Sequence, residues 1–323
     1  MDEQGFRTNL VSRSVPEDRL APALALAARF DTFISDKPAT AETAWAFSKV
    51  LIEEGNNSFN NYITLIRYCR FLQNDDMYVA LLELVDGGEV GARLYRKVGK
   101  QFGNKVRNEV FAGIGVTPYG TPTPEKPAYL QPVIERLEAK IGKEACADFL
   151  SPSLRRLPTR DFLGERQKYK RAANIDEYLR QRKENFVAEL ETCLRENRLF
   201  FAQEITEEVI AFVRNDPEIG GGRRKGNIIY ETKIPYLTQK YLTETNPTLR
   251  RYYGCHCPWA REAIKNGDVR LAETFCYCSA GFHKKTFEVI FKQPLKVEVL
   301  ESILKGDDRC RFAIHLPPEA RLP

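Results

Sequence analysis

No run of this 323-residue chain is apolar for long enough to cross a bilayer: the most apolar stretch, near Ala21 to Phe30, falls well short of the roughly 20 residues a membrane helix needs. The start, Met1-Asp2-Glu3-Gln4, has neither the basic residues nor the apolar run of a secretory leader, so a cytoplasmic location and no membrane partner are expected. There is no internal repeat of fixed period and no low-complexity tract, which excludes solenoid and disordered-tract architectures. Histidine is scarce, with three in the whole chain. The glycine-rich run Gly220 to Gly226 lacks the Gly-Lys-Ser/Thr ending of a nucleotide P-loop. Cysteine is the exception, with eight residues. Disulfides are rare in a reducing compartment, so metal binding or thiolate chemistry is expected ahead of staples.

The length suggests two or three domains with real cores. Net charge is +5, and Arg155 to Glu184 alone holds ten Lys/Arg against five Asp/Glu, which accounts for the whole excess. A basic stretch with Tyr169 and Tyr178 interleaved suits a phosphate backbone. Mixed signs at helical spacing favour a solvated helix face instead, so nucleic acid is not the expected partner.

The expected class is α+β, a predominantly helical N-terminal half followed by a mixed α/β C-terminal domain with an antiparallel hairpin. Residues 1 to 20 read as a poorly ordered lead-in. Pro22 is placed at the first position of a helix to Ile34, Thr40 caps the next, and Ser58 caps one whose Phe59, Tyr62, Ile63, Ile66 and Cys69 form a buried face. Met77 to Val85 and Val90 to Phe111 complete a helical block over 1–116. The prolines of 117–127 mark a linker. A second helical block covers 128–219, with helices starting at Pro132 and Thr206, and an α/β cysteine-rich domain covers 220–323. Cys69, Cys146 and Cys193 each sit among apolar residues at helical spacing and read as core.

Five cysteines and two histidines fall between Cys255 and Cys310: Cys255-His256-Cys257, then after eighteen residues Cys276-Tyr277-Cys278, then His283 and Cys310. Pro258 favours a helix start with Cys257 as its cap and a stop at Asn266-Gly267, and Ser279 reads as the cap of a second helix. Both thiol pairs would then face helix N-termini, which stabilise thiolate. With Ser279 as cap, Cys278 and His283 occupy the two positions that meet in a staple, so a Cys278–His283 pair is expected. Leu295 to Ile303 and Cys310 to Leu316 alternate as a hairpin that points Cys310 inward and His315 outward.

The run Cys276 through Ser279-Ala280-Gly281-Phe282 to Leu304-Lys305-Gly306-Asp307-Asp308-Arg309-Cys310-Arg311-Phe312-Ala313-Ile314 resembles the end of the 4-vinyl reductase-type ligand-binding domain and the related L-2-amino-thiazoline-4-carboxylic acid hydrolase-like proteins. The likeness covers the last hundred residues or so, and not the helical two-thirds. It implies an α/β unit that binds a small ligand, a zinc held by Cys and Glu, and a homodimer. Cys276 and Cys310 fall on ligand positions of that zinc site. At the other two this chain has Ser302 for Cys and Val299 for Glu, leaving Cys278, Cys255, Cys257 or Glu301 as replacements.

Two pairs of Cys-x-Cys supply four soft ligands, enough for a tetrahedral zinc or for an iron–sulfur cluster. The metal set is therefore Cys255, Cys257, Cys276, Cys278 and Cys310. The competing readings are a metal-free cysteine hydrolase of a small amide- or amidine-like substrate, with Cys278 or Cys276 as nucleophile and His283 moving the proton, and a ligand-sensing module with structural or redox-active thiols. Whether the chain is an enzyme stays open. A small-molecule site is expected from the possible anion nest at Arg223, Arg224 and Lys225 and the aromatic wall of Tyr230, Tyr236, Tyr241, Tyr252, Tyr253 and Trp259. A plain hinge is the other reading of the glycine loop.

Overall fold

Capping residues and glycines cut the chain into the helices that the apolar spacing calls for. The computed structural model describes residues 1–266 and 271–318. Helices α1 (Glu3–Ser12), α2 (Glu17–Ile34), α3 (Ala41–Glu53), α4 (Phe59–Phe71) and α5 (Asp75–Val85) share one core, built on Phe6, Phe30, Phe47, Tyr62 and Tyr68. Ser58 caps α4 by accepting the Asn61 N–H at 3.3 Å, and Asn74 caps α5. Three details differ from expectation. The lead-in forms α1, because Phe6 and Leu10, four apart, are both 0% exposed against α2 and α4. Helix α2 starts behind Pro16 and carries Pro22 inside it. Phe59 is 54% exposed, leaving the buried face to Tyr62, Leu65, Ile66 and Cys69.

Helices α6 (Val90–Val110), α7 (Lys126–Ile141) and α8 (Lys143–Leu150) form a second core. Gly142, at φ 84°, ends α7 and opens α8, a backbone state that favours glycine. Helix α7 begins at Lys126, with Pro127 in its first turn and Pro132 inside, rather than at Pro132. The proline-rich segment before it is packed, not loose: Thr121, Thr123 and Lys126 are buried. This second core also takes in Cys255, Trp259, Phe275, Cys278 and Ile303 from far along the chain, so the cysteine segment is folded onto α6–α8.

Helices α9 (Leu163–Arg171), α10 (Ile175–Arg195) and α11 (Glu207–Asn215) lead to strands β1 (Arg223–Lys225) and β2 (Ile228–Thr232). After α12 (Thr238–Thr243), α13 (Pro247–Gly254), α14 (Arg261–Asn266) and α15 (Cys276–Phe291) come β3 (Val297–Glu301) and β4 (Arg311–His315). The strands make one antiparallel sheet in the order β1-β2-β4-β3, with Ile229 opposite Ile314 and Val297 opposite the same residue from the other side. Its core face, Ile229, Phe312, Ile314 and Val297, packs on Phe287 and Ile290 of α15. The molecule is thus α+β with a helical majority and a small C-terminal sheet. Among the described residues no helix is long and apolar enough to cross a membrane.

The basic stretch divides its charges. Lys168 and Arg180 pair along the helix surfaces with Glu165, Glu177 and Glu184, as a solvated face requires. Arg155, Arg182 and Lys183 turn inward: Arg155 pairs with Asp86, Arg182 with Glu231, and Lys183 donates to the carbonyls of Val213, Asp216 and Ile219.

Candidate functional site

The chemistry-bearing residues gather where the start of α15 crosses the end of β2. Alternation along β2 puts Glu231 on the same inward face as Ile229, a carboxylate in an apolar layer. It is satisfied there: Arg182 pairs with one oxygen, and His283 Nδ1 lies 2.7 Å from the other. Burial pushes the Glu231 carboxyl up, but Arg182 and His283 outweigh it and hold the group at about 2. Burial also lowers His283, whose ring lies 4.7 Å from that of Phe312. Two residues past Glu231, Lys233 keeps the strand pairing through its N–H to the Cys310 carbonyl, and its ammonium donates to Ser279 Oγ at 3.1 Å. Ser279 and His283, four apart on α15, thus meet Lys233 and Glu231, two apart on the strand.

This pairing corrects the expected Cys278–His283 contact. Helix α15 begins at Cys276, and Ser279 lies within its first turn instead of capping it. Cys278 therefore turns away from His283. Its sulfur accepts the Leu154 N–H at 3.2 Å and stands 3.6 Å from Ser153 Oγ. The close approach that makes this contact depends on Gly281, where a Cβ would come 2.1 Å from the Ser151 carbonyl oxygen.

The other four thiols are served in the same way. Backbone N–H groups nearby favour the thiolate at three of them, that of Cys257 acting on Cys255, that of Trp259 on Cys257 and that of Ile303 on Cys310. Cys276 Sγ lies 2.9 Å from the hydroxyl of Ser302, the residue that stands where the resembled domain has a zinc-ligand cysteine. Burial dominates all four acidities: Cys255 is pushed up to about 12, Cys257 to about 11, Cys276 well above the ordinary thiol value, and Cys310 upward. The sulfurs also raise one another, Cys257 and Cys310 acting on Cys255, Cys278 on Cys257, and Cys310, Cys255 and Cys257 on Cys276. Lys233 opposes this at Cys255, Cys257 and Cys310. Among the described residues, no three His, Cys, Asp or Glu side chains close on a point where a single metal ion would sit. The donor types suit a soft metal; their placement does not form a one-ion cage.

The expected cap at Cys257 is also displaced. Pro258 to Ala260 form a turn in which the Cys257 carbonyl accepts the N–H groups of Ala260 and Arg261, and α14 starts at Arg261. Gly267, part of the expected helix stop, lies outside the described residues. His256 Nε2 is 2.6 Å from the Ile234 carbonyl, and its ring stands edge-on to Tyr236; burial drives its pKa well below the ordinary value.

The expected small-molecule residues do not assemble into one wall. Arg223, Arg224 and Lys225 form β1 rather than a nest, with Arg224 Nε bonded to Asp176 at 2.9 Å. Arg311 covers Tyr230 at 4.8 Å. Trp259 is buried and donates to the Gly87 carbonyl at 2.9 Å, locking the cysteine segment to the turn before α6. Tyr236 bonds Glu83, Tyr241 the Asp308 carbonyl and Tyr252 Glu262, while Tyr253 stacks edge-on against Tyr252. His315 pairs with Glu298 at 3.0 Å near the surface.

Lys233, Ser302, Glu231 with Arg182, and the Ser153–Leu154 turn were not singled out as site residues from the sequence. The parity of β2 marks Glu231 and Lys233, since both fall on the inward side with Ile229. Nothing local marks Ser153, whose role comes from the packing of α15 on the turn after α8.

A model of a family of unknown function (DUF6144) matches residues 240–320, which hold α13 to β4 and all five clustered cysteines. No curated protein and no solved structure matches the chain.

Proposed function

We propose that the cluster of Cys255, Cys257, Cys276, Cys278 and Cys310 is a thiolate centre for a soft metal group. One observation carries the reading: Cys278 Sγ accepts the Leu154 N–H, Cys276 Sγ lies against the Ser302 hydroxyl, and backbone N–H groups favour the thiolate of Cys255, Cys257 and Cys310. Donors aimed at sulfur favour the charged form, and burial opposes it. In this desolvated setting a cation is what makes thiolate the stable form, and Lys233 supplies only one charge for several sulfurs. The thiols share one neighbourhood without converging on a point. Thiolate donors of this kind suit an iron–sulfur cluster or a zinc held at about 2.3 Å from each sulfur.

The hydrolase alternative has less support. Its nucleophile and base are turned to different partners, Cys278 to Leu154 and His283 to Glu231, and the half-buried Cys276 thiol has its pKa raised well above the ordinary value. A thiolate metal centre also fits a reducing compartment, so the cytoplasm is the location proposed with it. Iron, zinc and acid-labile sulfide measured in protein purified without oxygen and without added metal test the proposal. Stoichiometric iron with sulfide supports the cluster, stoichiometric zinc supports the single-ion form, and absence of both defeats it. Cys276→Ser is expected to remove most of the metal.

A further inference from the structure

Arg166, in the mixed-charge stretch between Arg155 and Glu184, is taken up by neither the solvated-face pairs nor the buried pairs, and it stands with two cations from the end of α15. It lines a surface cleft of about 370 Å³ between the start of α9 and the end of α15. Arg166, Lys285 and Lys292 border this cleft together with one carboxylate, Glu288. That carboxylate is already engaged: Glu288 accepts from Lys284 at 3.0 Å and from the Leu295 N–H at 3.3 Å, and stands 3.9 Å from Lys285. Among the described residues Arg166 and Lys292 have no carboxylate within ion-pair reach, and Arg166 Nε is buried without a hydrogen-bond partner. Two cations without a carboxylate partner on one cleft would be neutralised by an anion bound there.

The backbone adds a second, independent sign. Lys292 ends α15 in the left-handed state, at φ 58° and ψ 30°, where glycine is the usual residue and a side chain costs energy. The chain accepts that cost and places a cation at the cleft. Leu163, Val289 and Pro294 give the remaining lining an apolar character. A cleft of this size suits a small molecule.

We propose that this cleft binds a small organic anion, a phosphate or carboxylate on an apolar body, through Arg166 and Lys292. The site is separate from the thiols and does not depend on their occupant. Calorimetric titration of the whole protein with phenyl phosphate, benzoate and phenol tests it. Either anion should bind at least tenfold more tightly than phenol, and its affinity should fall as salt is raised from low to high concentration. Which of the two anions binds more tightly names the headgroup. Arg166→Gln should weaken binding about tenfold or more, the loss expected for a charge-assisted contact. Lys292→Gly separates binding from folding: it relieves the left-handed side chain, so the melting temperature should hold or rise while affinity falls about tenfold. Equal affinity for phenol, no binding at millimolar concentration, or unchanged affinity in both variants would overturn the proposal. So would a single-stranded oligonucleotide that binds more tightly than either small anion and is lost in the same variants, since the cleft would then be a nucleic-acid contact.

Discussion

The cysteines of the helical blocks are fully buried, whereas Cys257, Cys276 and Cys310 of the C-terminal segment are only half-buried, and the two sets are differently served. Cys69, Cys146 and Cys193 are 0% exposed, and burial pushes Cys69 and Cys146 up to about 12, the same level as Cys255. Burial is the one cause at Cys69; at Cys146 it is joined by Glu138 and Thr274, and at Cys193 by the charges of Arg198, Glu189 and Glu196. Among the described residues none of the three sulfurs is met by a backbone N–H. In the C-terminal segment Cys278 accepts one from Leu154, and backbone N–H groups lower the pKa of Cys255, Cys257 and Cys310 against the effect of burial. Burial and a raised pKa alone therefore do not distinguish a site from a core. What distinguishes it is where the polypeptide spends its spare donors, since an N–H aimed at sulfur is one withheld from a carbonyl.

The comparison is broken most forcefully by releasing α15 from the sheet. Glu231→Ala takes the carboxylate from the half-buried Arg182 and from His283 and should cost about 3 kcal/mol, the lower end for breaking a buried pair, read as a fall in the urea midpoint, with metal content lost alongside. Gly281→Ala forces a methyl against the Ser151 carbonyl and should cost about 1–3 kcal/mol. If the contact places the Cys278 sulfur as described, this variant also changes the alkylation rate of Cys278.

The mildest change sharpens the other side. Cys69→Ala should cost about 1 kcal/mol through a small cavity and leave metal content untouched. A larger loss of metal than of stability would put Cys69 in the wrong class.

Acidity offers a further check on the Glu231–His283 pair. His283 is lowered from its ordinary 6.5, so below that pH the unfolded chain binds a proton that the folded chain refuses, and stability falls as pH drops. Glu231 is lowered from its ordinary 4.5 to about 2, so it adds stability above 4.5 that is lost on acidification toward 2. Both act in the same direction. Urea midpoints between pH 7 and pH 3 should decline in two stages, and His283→Gln should flatten the upper one.

Much of this frame was legible from local chemistry. Ser58 and Thr206 cap helices by hydrogen bonds to Asn61 and Val209, Gly142 ends one, and the terminal alternation makes an antiparallel pair, because each depends on residues close in sequence. The separation of Cys69, Cys146 and Cys193 from the rest also follows from spacing, and the structure buries all three. Helix α1 was missed because only Phe6 and Leu10 carry its apolar face, too few to stand out without α2 and α4 beneath them. The Cys278–His283 pair was misjudged by where α15 begins. Cys276 and Tyr277 enter the helix ahead of Ser279, a start set by packing of the preceding turn and not by a capping side chain. Lys233 and Ser302 lay beyond reach for the same reason, since their importance exists only once β2, β4 and α15 are assembled.

The most direct test sets the two cysteine classes side by side: iron, zinc and acid-labile sulfide per chain in the wild type, in Cys255→Ser/Cys310→Ser, and in Cys69→Ala/Cys193→Ala. The account predicts stoichiometric metal in the wild type and in the helical-block variant, and loss in the C-terminal variant with its helical content retained. A wild type free of metal, or equal losses in both variants, would contradict it.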